Sequence, residues 1–446
     1  MGVGIKYSGS FTFNSQLTSV AEEVEKLTDF VFNQLNINGR KLKEKREFLK
    51  ILLLNLKLSS LSYKKITYSR DKNYFRSIPE RYRIPFVSYH IAVQVNDAMN
   101  TAGFTKSYKA FKPLTKKAKA RRTMTTPTGK LILLLDRIKP NMIEESIRKE
   151  TIILRNKEKK EVAYKDSRNT IKMRDELQKI NQLRKDLKIC LHGIPKKIFE
   201  EHKLEIARFT TEELDKVTFD IEGKSSVINL RKSYLHRVFN VNFQSGGRFY
   251  GATEQTLKRE LRAFLKIHDG KTWRSTKTLD FQALHVVLLY ARLGIAYKGD
   301  PYLILCRKNK KMRKYYKLLV LMCINAKCDK EAIRAFRNKV SKKYPFTYMK
   351  EFGKLEDKRI QNCIDEIKKK HPKLIPFLFK GMGNKLMYID SKIASKIMLC
   401  MVKLSKNCLC LHDGFITQRR EAKHIINIMQ EAFKETIGHK PQIENT

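Results

Sequence analysis

Two carboxylates, each ending a short apolar run, carry the most chemical information in this chain. Asp280 closes Thr278-Leu279-Asp280, and Phe281-Gln282-Ala283-Leu284-His285 follows it. Asp413 closes Cys410-Leu411-His412-Asp413, and Gly414-Phe415-Ile416 follows it. A carboxylate at the end of a buried strand stands at a sheet edge, where a divalent cation can reach it. Two such groups can hold a pair of hard cations, and the cations hold a reacting phosphate. Between the two lies a basic stretch with Arg313, Lys317, Leu321 and Asn325 spaced four apart. On a helix these positions form one slowly drifting row. There Lys317 can neutralise an arriving triphosphate, and Arg313, one turn earlier, can grip its outermost phosphate. Each segment alone has a plainer reading: Asp280 as a helix N-cap, Asp413-Gly414 as a turn pair, the basic row as a solvated face.

The elements that would position these groups follow from the pattern. A strand over 276–280 leads into an apolar helix over 283–293. A basic helix follows over 308–326. A β-hairpin has its first strand at 408–411, its turn at His412-Asp413-Gly414 and its second strand at 415–417, with Gly414 expected to permit the turn. Upstream stands Gly246-Gly247-Arg248-Phe249-Tyr250-Gly251, where two glycines would let the backbone and the Arg248 guanidinium approach a phosphate closely. Cys408, Cys410 and His412 alternate onto one strand face. The second half of a zinc signature is missing, so a buried core role for the two cysteines is favoured.

The N-terminal half reads as helices over 20–35 and 41–58 and a strand over 66–70. A helix over 88–102, a strand from 104 to 108, a cationic loop over 116–122 and a strand over 129–135 then resemble a winged helix. Residues 88–102 would be its recognition helix and 110–128 its wing. Packing of the same module against the rest of the chain is the alternative. A hairpin over 151–165 and a charged helix over 170–187 complete this part. The expected division is 1–135 as a helical, winged-helix-like nucleic-acid-binding domain, 136–239 as a linker hairpin with a thumb-like helical region, and 240–446 as the catalytic part.

Composition narrows the partners. The 446 residues carry 93 Lys and Arg against 45 Asp and Glu, a net charge of +48 spread along the whole sequence. Such a chain repels itself without a polyanion, and nucleic acid is the expected one. The hydrophobic fraction of 42% suits a folded protein rather than a packing tail. No apolar run spans a bilayer, and the first thirteen residues lack an apolar leader stretch, so no membrane and a reducing cytoplasmic setting are expected.

In order, these segments resemble the family A DNA polymerases over about residues 240–446. Gly247-Arg248 resembles the family's primer-strand Gly-Arg, and Leu261-Arg262-Ala263-Phe264 its Arg-Arg-Ala-Phe lead-in. Asp280 falls on the metal-binding Asp of motif A. Arg313 and Lys317 fall on the Arg and Lys of the fingers helix, Leu321 on its base-stacking Phe and Asn325 on its Tyr. His412 and Asp413 fall on the His-Asp of motif C. The wording around Gly246–Gly251 also resembles short, family-A-like polymerases carried by mobile elements. The resemblance implies an α+β fold with a right-hand-like palm (an antiparallel sheet with helices) and fingers helices. It implies extension of a primer 3′-hydroxyl on a template, two Mg²⁺ ions on Asp280 and Asp413, nucleoside triphosphates as substrates, and replication or mobile-element proteins as partners. The departures are specific. His285 stands where the family has a Glu that helps exclude a ribose 2′-hydroxyl, Gly414 stands where it has another Glu, and no proofreading exonuclease signature precedes the palm. Two other functions stay open: a non-catalytic DNA-binding replication initiator or regulator, and a primase-like RNA-synthesising enzyme.

Overall fold

The computed structural model describes residues 7–110, 122–303, 310–343 and 356–445. The chain forms two compact units, one of Met1–Arg237 with Tyr250–Thr276, the other of Val238–Phe249 with Lys277–Thr446. The first unit therefore takes in both N-terminal segments and also the Arg262 segment.

In the first unit, helices α1 (Glu22–Gln34) and α2 (Leu42–Ser62) pack beside a four-stranded sheet. Its strands are β1 (Ser10–Thr12), β2 (Lys65–Tyr68), β3 (Thr105–Tyr108) and β4 (Thr123–Pro127), in the order β1-β2-β4-β3. The β1–β2 pair is parallel and the others antiparallel. From Phe48 to Ser59, α2 is buried at almost every position, which makes it the centre of the core rather than a surface helix. A short helix α3 (Lys72–Ser77) and then α4 (Tyr89–Thr101) follow, and α4 turns Ile91, Val95 and Met99 into the same core.

Residues 129–135, expected as a strand, are instead helix α5 (Gly129–Leu135). Leu131 and Leu135 are fully buried while Leu133 is 75% exposed. A strand would have put all three on one face; a helix puts 131 and 135 together and 133 opposite. Of the expected wing, 111–121 lie outside the described residues, and Thr123–Pro127 belongs to the sheet. The expected hairpin over 151–165 shrinks to one strand, Ile152–Arg155, and a single bridge from Arg155 to Glu161. Helix α6 (Arg168–Lys185) forms as expected, with Ser167 capping the Thr170 N–H at 3.2 Å. Its buried face ends in Arg184, which pairs with Glu254 at 2.9 Å in the interior.

The second unit takes up strand β5 (Asn242–Tyr250) except its last residue, and the end of strand β6 (Trp273–Phe281). Helix α7 (Leu284–Ala291) starts after Ala283, which holds a left-handed conformation. Then come α8 (Lys310–Asn325), α9 (Asp329–Lys343) and α10 (Asp357–Lys370), which pack on one another, and the long α11 (Gly383–Lys403). The hairpin β7 (Cys408–Cys410) and β8 (Gly414–Gln418) leads to α12 (Ala422–Ile437) and to β9 (Ile443–Asn445). Strand β6 lies between β8 and β9 at this end, antiparallel to β9.

Candidate active site

The β7–β8 hairpin forms because Cys408, Leu409, Cys410, Phe415 and Ile416 are all buried, so its strands sit inside the unit and only the tip reaches out. At the tip, the Leu411 N–H donates to the Gly414 carbonyl at 2.7 Å. His412, not Gly414, takes the left-handed conformation, with φ of 76°. Gly414 is needed for another reason. A Cβ there would overlap the Asp280 carboxylate and stand 3.2 Å from the Leu279 carbonyl. The Asp280 side chain thus lies directly over the Cα of the residue that follows Asp413. Across β6–β9, Asp280 is also in register with Glu444. Residues directly opposite in an antiparallel pair share a face, and two like charges there are unfavourable unless a cation lies near. Sequence reasoning missed Glu444, which belongs to none of the segments that resemble a motif.

Helix α8 contributes its basic row. Arg313 pairs with Asp300 and reaches Glu444 at 3.6 Å. The buried Tyr302 feels the same charges: burial raises its hydroxyl pKa, Asp300, Asp413 and Glu444 raise it further, and Arg313 opposes them. Arg313 is therefore engaged with carboxylates. Lys317, one turn on, is exposed and makes no ion pair among the described residues. Leu321 is half-buried. Asn325 turns back, donating to the Leu321 carbonyl at 2.7 Å, and its amide fills the space over Gly383 at the start of α11. That position joins two helices.

Arg248 occupies a second cluster. Its Nε donates to both Asp390 oxygens at 3.1 and 3.0 Å, and its Nη2 also contacts Asp390. His285 Nε2 lies 3.2 Å from the Asp390 carboxylate and 3.3 Å from Arg248 Nη2. Asp390 is 2% exposed. Burial holds the His412 imidazole pKa below its ordinary value; Arg248 adds to this, and Asp413, Asp390 and the Phe249 backbone pull the other way. Arg248, His285, Asp390 and His412 thus form one group. Asp390, which orders it, was not found from the sequence. Gly246 and Gly247 have φ of 78° and 82°, and Cβ atoms there would meet Asn240 at 2.8 Å and Phe239 at 2.6 Å. Packing against Asn240 and Phe239 alone therefore favours glycine at both positions. Arg262 belongs to the first unit, where it donates to the Leu257 carbonyl at 3.1 Å.

Among the described residues, no group of three or more His, Cys, Asp or Glu is placed to hold a metal. Mg²⁺ is usually held by one or two carboxylates together with substrate phosphates. The all-oxygen donors and the space that Gly414 keeps for Asp280 fit such an ion.

No protein-family model and no characterised protein matches the sequence. Among solved structures, the chain is similar to the POL domain of Pol1 from M. smegmatis in complex with DNA primer-template and dNTP. The match has 7% identity and a TM-score of 0.30, and covers 97% of this chain and 66% of that one. A likeness this low assigns neither fold family nor function. Among the described residues no helix is long and apolar enough to cross a membrane.

Proposed function

We propose that the chain is a nucleotidyltransferase that extends a nucleic-acid 3′-hydroxyl on a template, a DNA polymerase without proofreading that resembles family A. The observation that carries this reading is the Asp280 carboxylate seated against Gly414, the neighbour of Asp413, with Arg313 of a basic helix reaching Glu444, the cross-strand partner of Asp280. Asp280 and Asp413 would hold Mg²⁺, which supplies charge stabilisation at the phosphate and a lower pKa for the attacking hydroxyl. Lys317 neutralises charge on the incoming triphosphate, joined by Arg313 when it leaves its carboxylates. Arg248, clamped by Asp390, fixes the primer terminus beside His412. His285 borders the sugar of the incoming nucleotide, and Asp390 and Arg248 hold its ring in place. Base pairing supplies the sequence information, so backbone contacts and a dispersed positive charge suffice.

Primer extension by the purified full-length chain, with Mg²⁺ and four deoxynucleoside triphosphates, tests this. A ladder that follows the template sequence is expected. Sequence-specific duplex binding without any incorporation would replace it with the initiator reading. Incorporation of ribonucleotides alone would replace it with the primase-like one.

A further inference from the structure

The first unit holds a cavity of about 670 Å³ that the proposed reaction does not use. Its walls come from β1, α2, β2, α3, the 78–85 loop and the start of α4. The volume is that of a small-ligand site. Two features set its chemistry. Five cations (Lys72, Arg76, Arg83, Arg122 and Arg148) line it against one carboxylate, Glu161, which lies in the field of Arg148. Lys72, Arg76, Arg83 and Arg122 are exposed and make no ion pair among the described residues. Aromatic side chains stand between them. Tyr74 meets Phe75 edge-on at 5.3 Å, Phe75 meets Tyr89 at 6.2 Å, and Arg122 lies 5.7 Å from the Tyr74 ring centroid.

A third observation lies deeper. Asn96 lines the cavity and is 2% exposed. Its Nδ2 donates to the Ala92 carbonyl at 2.7 Å, while its Oδ1 has no hydrogen-bond partner. A buried acceptor left unpaired is costly, and a ligand N–H would satisfy it. Aromatic faces, four cations without an ion pair among the described residues and a lone acceptor match one ligand chemistry: a base with an N–H donor, flanked by phosphates. A base stacked in a duplex cannot enter such a cavity, but one splayed from a single strand can. The cations come from three separate stretches of chain, which suits successive phosphates of a strand better than one free nucleotide.

We propose that this cavity binds single-stranded nucleic acid, seating one base against Tyr74, Phe75 and Tyr89 with its flanking phosphates on Arg76, Arg83 and Arg122. The site is independent of the nucleotidyl-transfer reading and stands or falls separately from it.

The test is fluorescence anisotropy of the full chain with labelled 12-nucleotide strands. In the R76A/R83A double variant, single-strand affinity is expected to fall tenfold or more. The slope of log affinity against log salt should fall by about 1.4, for two phosphates at roughly 0.7 each. Asn96→Leu should weaken strands whose bases offer an N–H donor and leave an abasic strand of the same length unchanged. Unchanged affinity and slope in the double variant would overturn the proposal. So would equal competition by a duplex of the same length or by free ATP. Photocrosslinking of an iodouracil-bearing strand to the unmodified chain is a second reading that needs no variant. Crosslinks at Tyr74, Phe75 or Tyr89 are expected, and crosslinks confined to the second unit would overturn it.

Discussion

At the scale of single residues, Gly414 and Asp390 make the sharpest demands. A methyl group at Gly414 must displace the Asp280 carboxylate or the β6 backbone behind it. Displacing a catalytic group by about 1 Å commonly costs on the order of 10²-fold in rate. Gly414→Ala is therefore expected to lower extension at least that far while the circular dichroism spectrum stays unchanged; normal extension would detach Asp280 from the reaction. In the proposed reaction Asp390 would act through Arg248 and His285, as a positioning residue. Asp390→Asn removes the charge that holds Arg248, whose side chain is 13% exposed. The expected result is a loss of about 3 kcal/mol in stability from the unpaired buried guanidinium. A changed ratio of deoxy- to ribonucleotide use should accompany it in single-nucleotide incorporation assays. A purely structural role would lower stability and leave that ratio alone.

At the scale of elements, the sequence was most legible where one period ran long. The helices α2, α4, α6 and α8 and the β7–β8 hairpin lie close to their expected positions because each repeats a single burial pattern. The run over 129–135 was misread because five adjacent apolar residues fit a strand or a helix equally, and only the exposure of Leu133 separates them. Asp390 was invisible for a different reason. Its partners Arg248 and His285 stand 142 and 105 residues away, and nothing in its own helix marks it. Glu444 is exposed to notice only through its register with Asp280. One short element gives a pH prediction. Glu145, in the strand pair with Leu17–Thr18, has its carboxyl pushed up to about 7 by burial, against the pull of Arg148, Arg231 and Asn14. Between its ordinary value of 4.5 and about 7, the folded chain keeps a proton that the unfolded chain has lost. Stability should therefore fall as pH rises through that window. Glu145→Gln should shrink the difference in melting temperature between pH 5 and pH 8; an unchanged difference would contradict this assignment.

At the scale of the whole molecule, the charge of +48 is the dominant fact. It belongs to no one element, so binding of primer-template should behave as a sum of phosphate contacts. For about six contacts, affinity is expected to drop by roughly 10³ between 50 and 200 mM salt. A salt-independent affinity would point to a protein partner instead. The two units divide the labour in this account, with single-strand binding in the first and nucleotide addition in the second. Primer extension, comparing the unmodified chain with Asp280→Asn and Asp413→Asn in Mg²⁺, tests nucleotide addition by the second unit. The unmodified chain is expected to extend the primer and each variant to lose about 10³-fold in rate with its fold intact, the order of magnitude lost when a charge-stabilising group at the reacting centre is removed. Extension by either variant at the unmodified rate would contradict it.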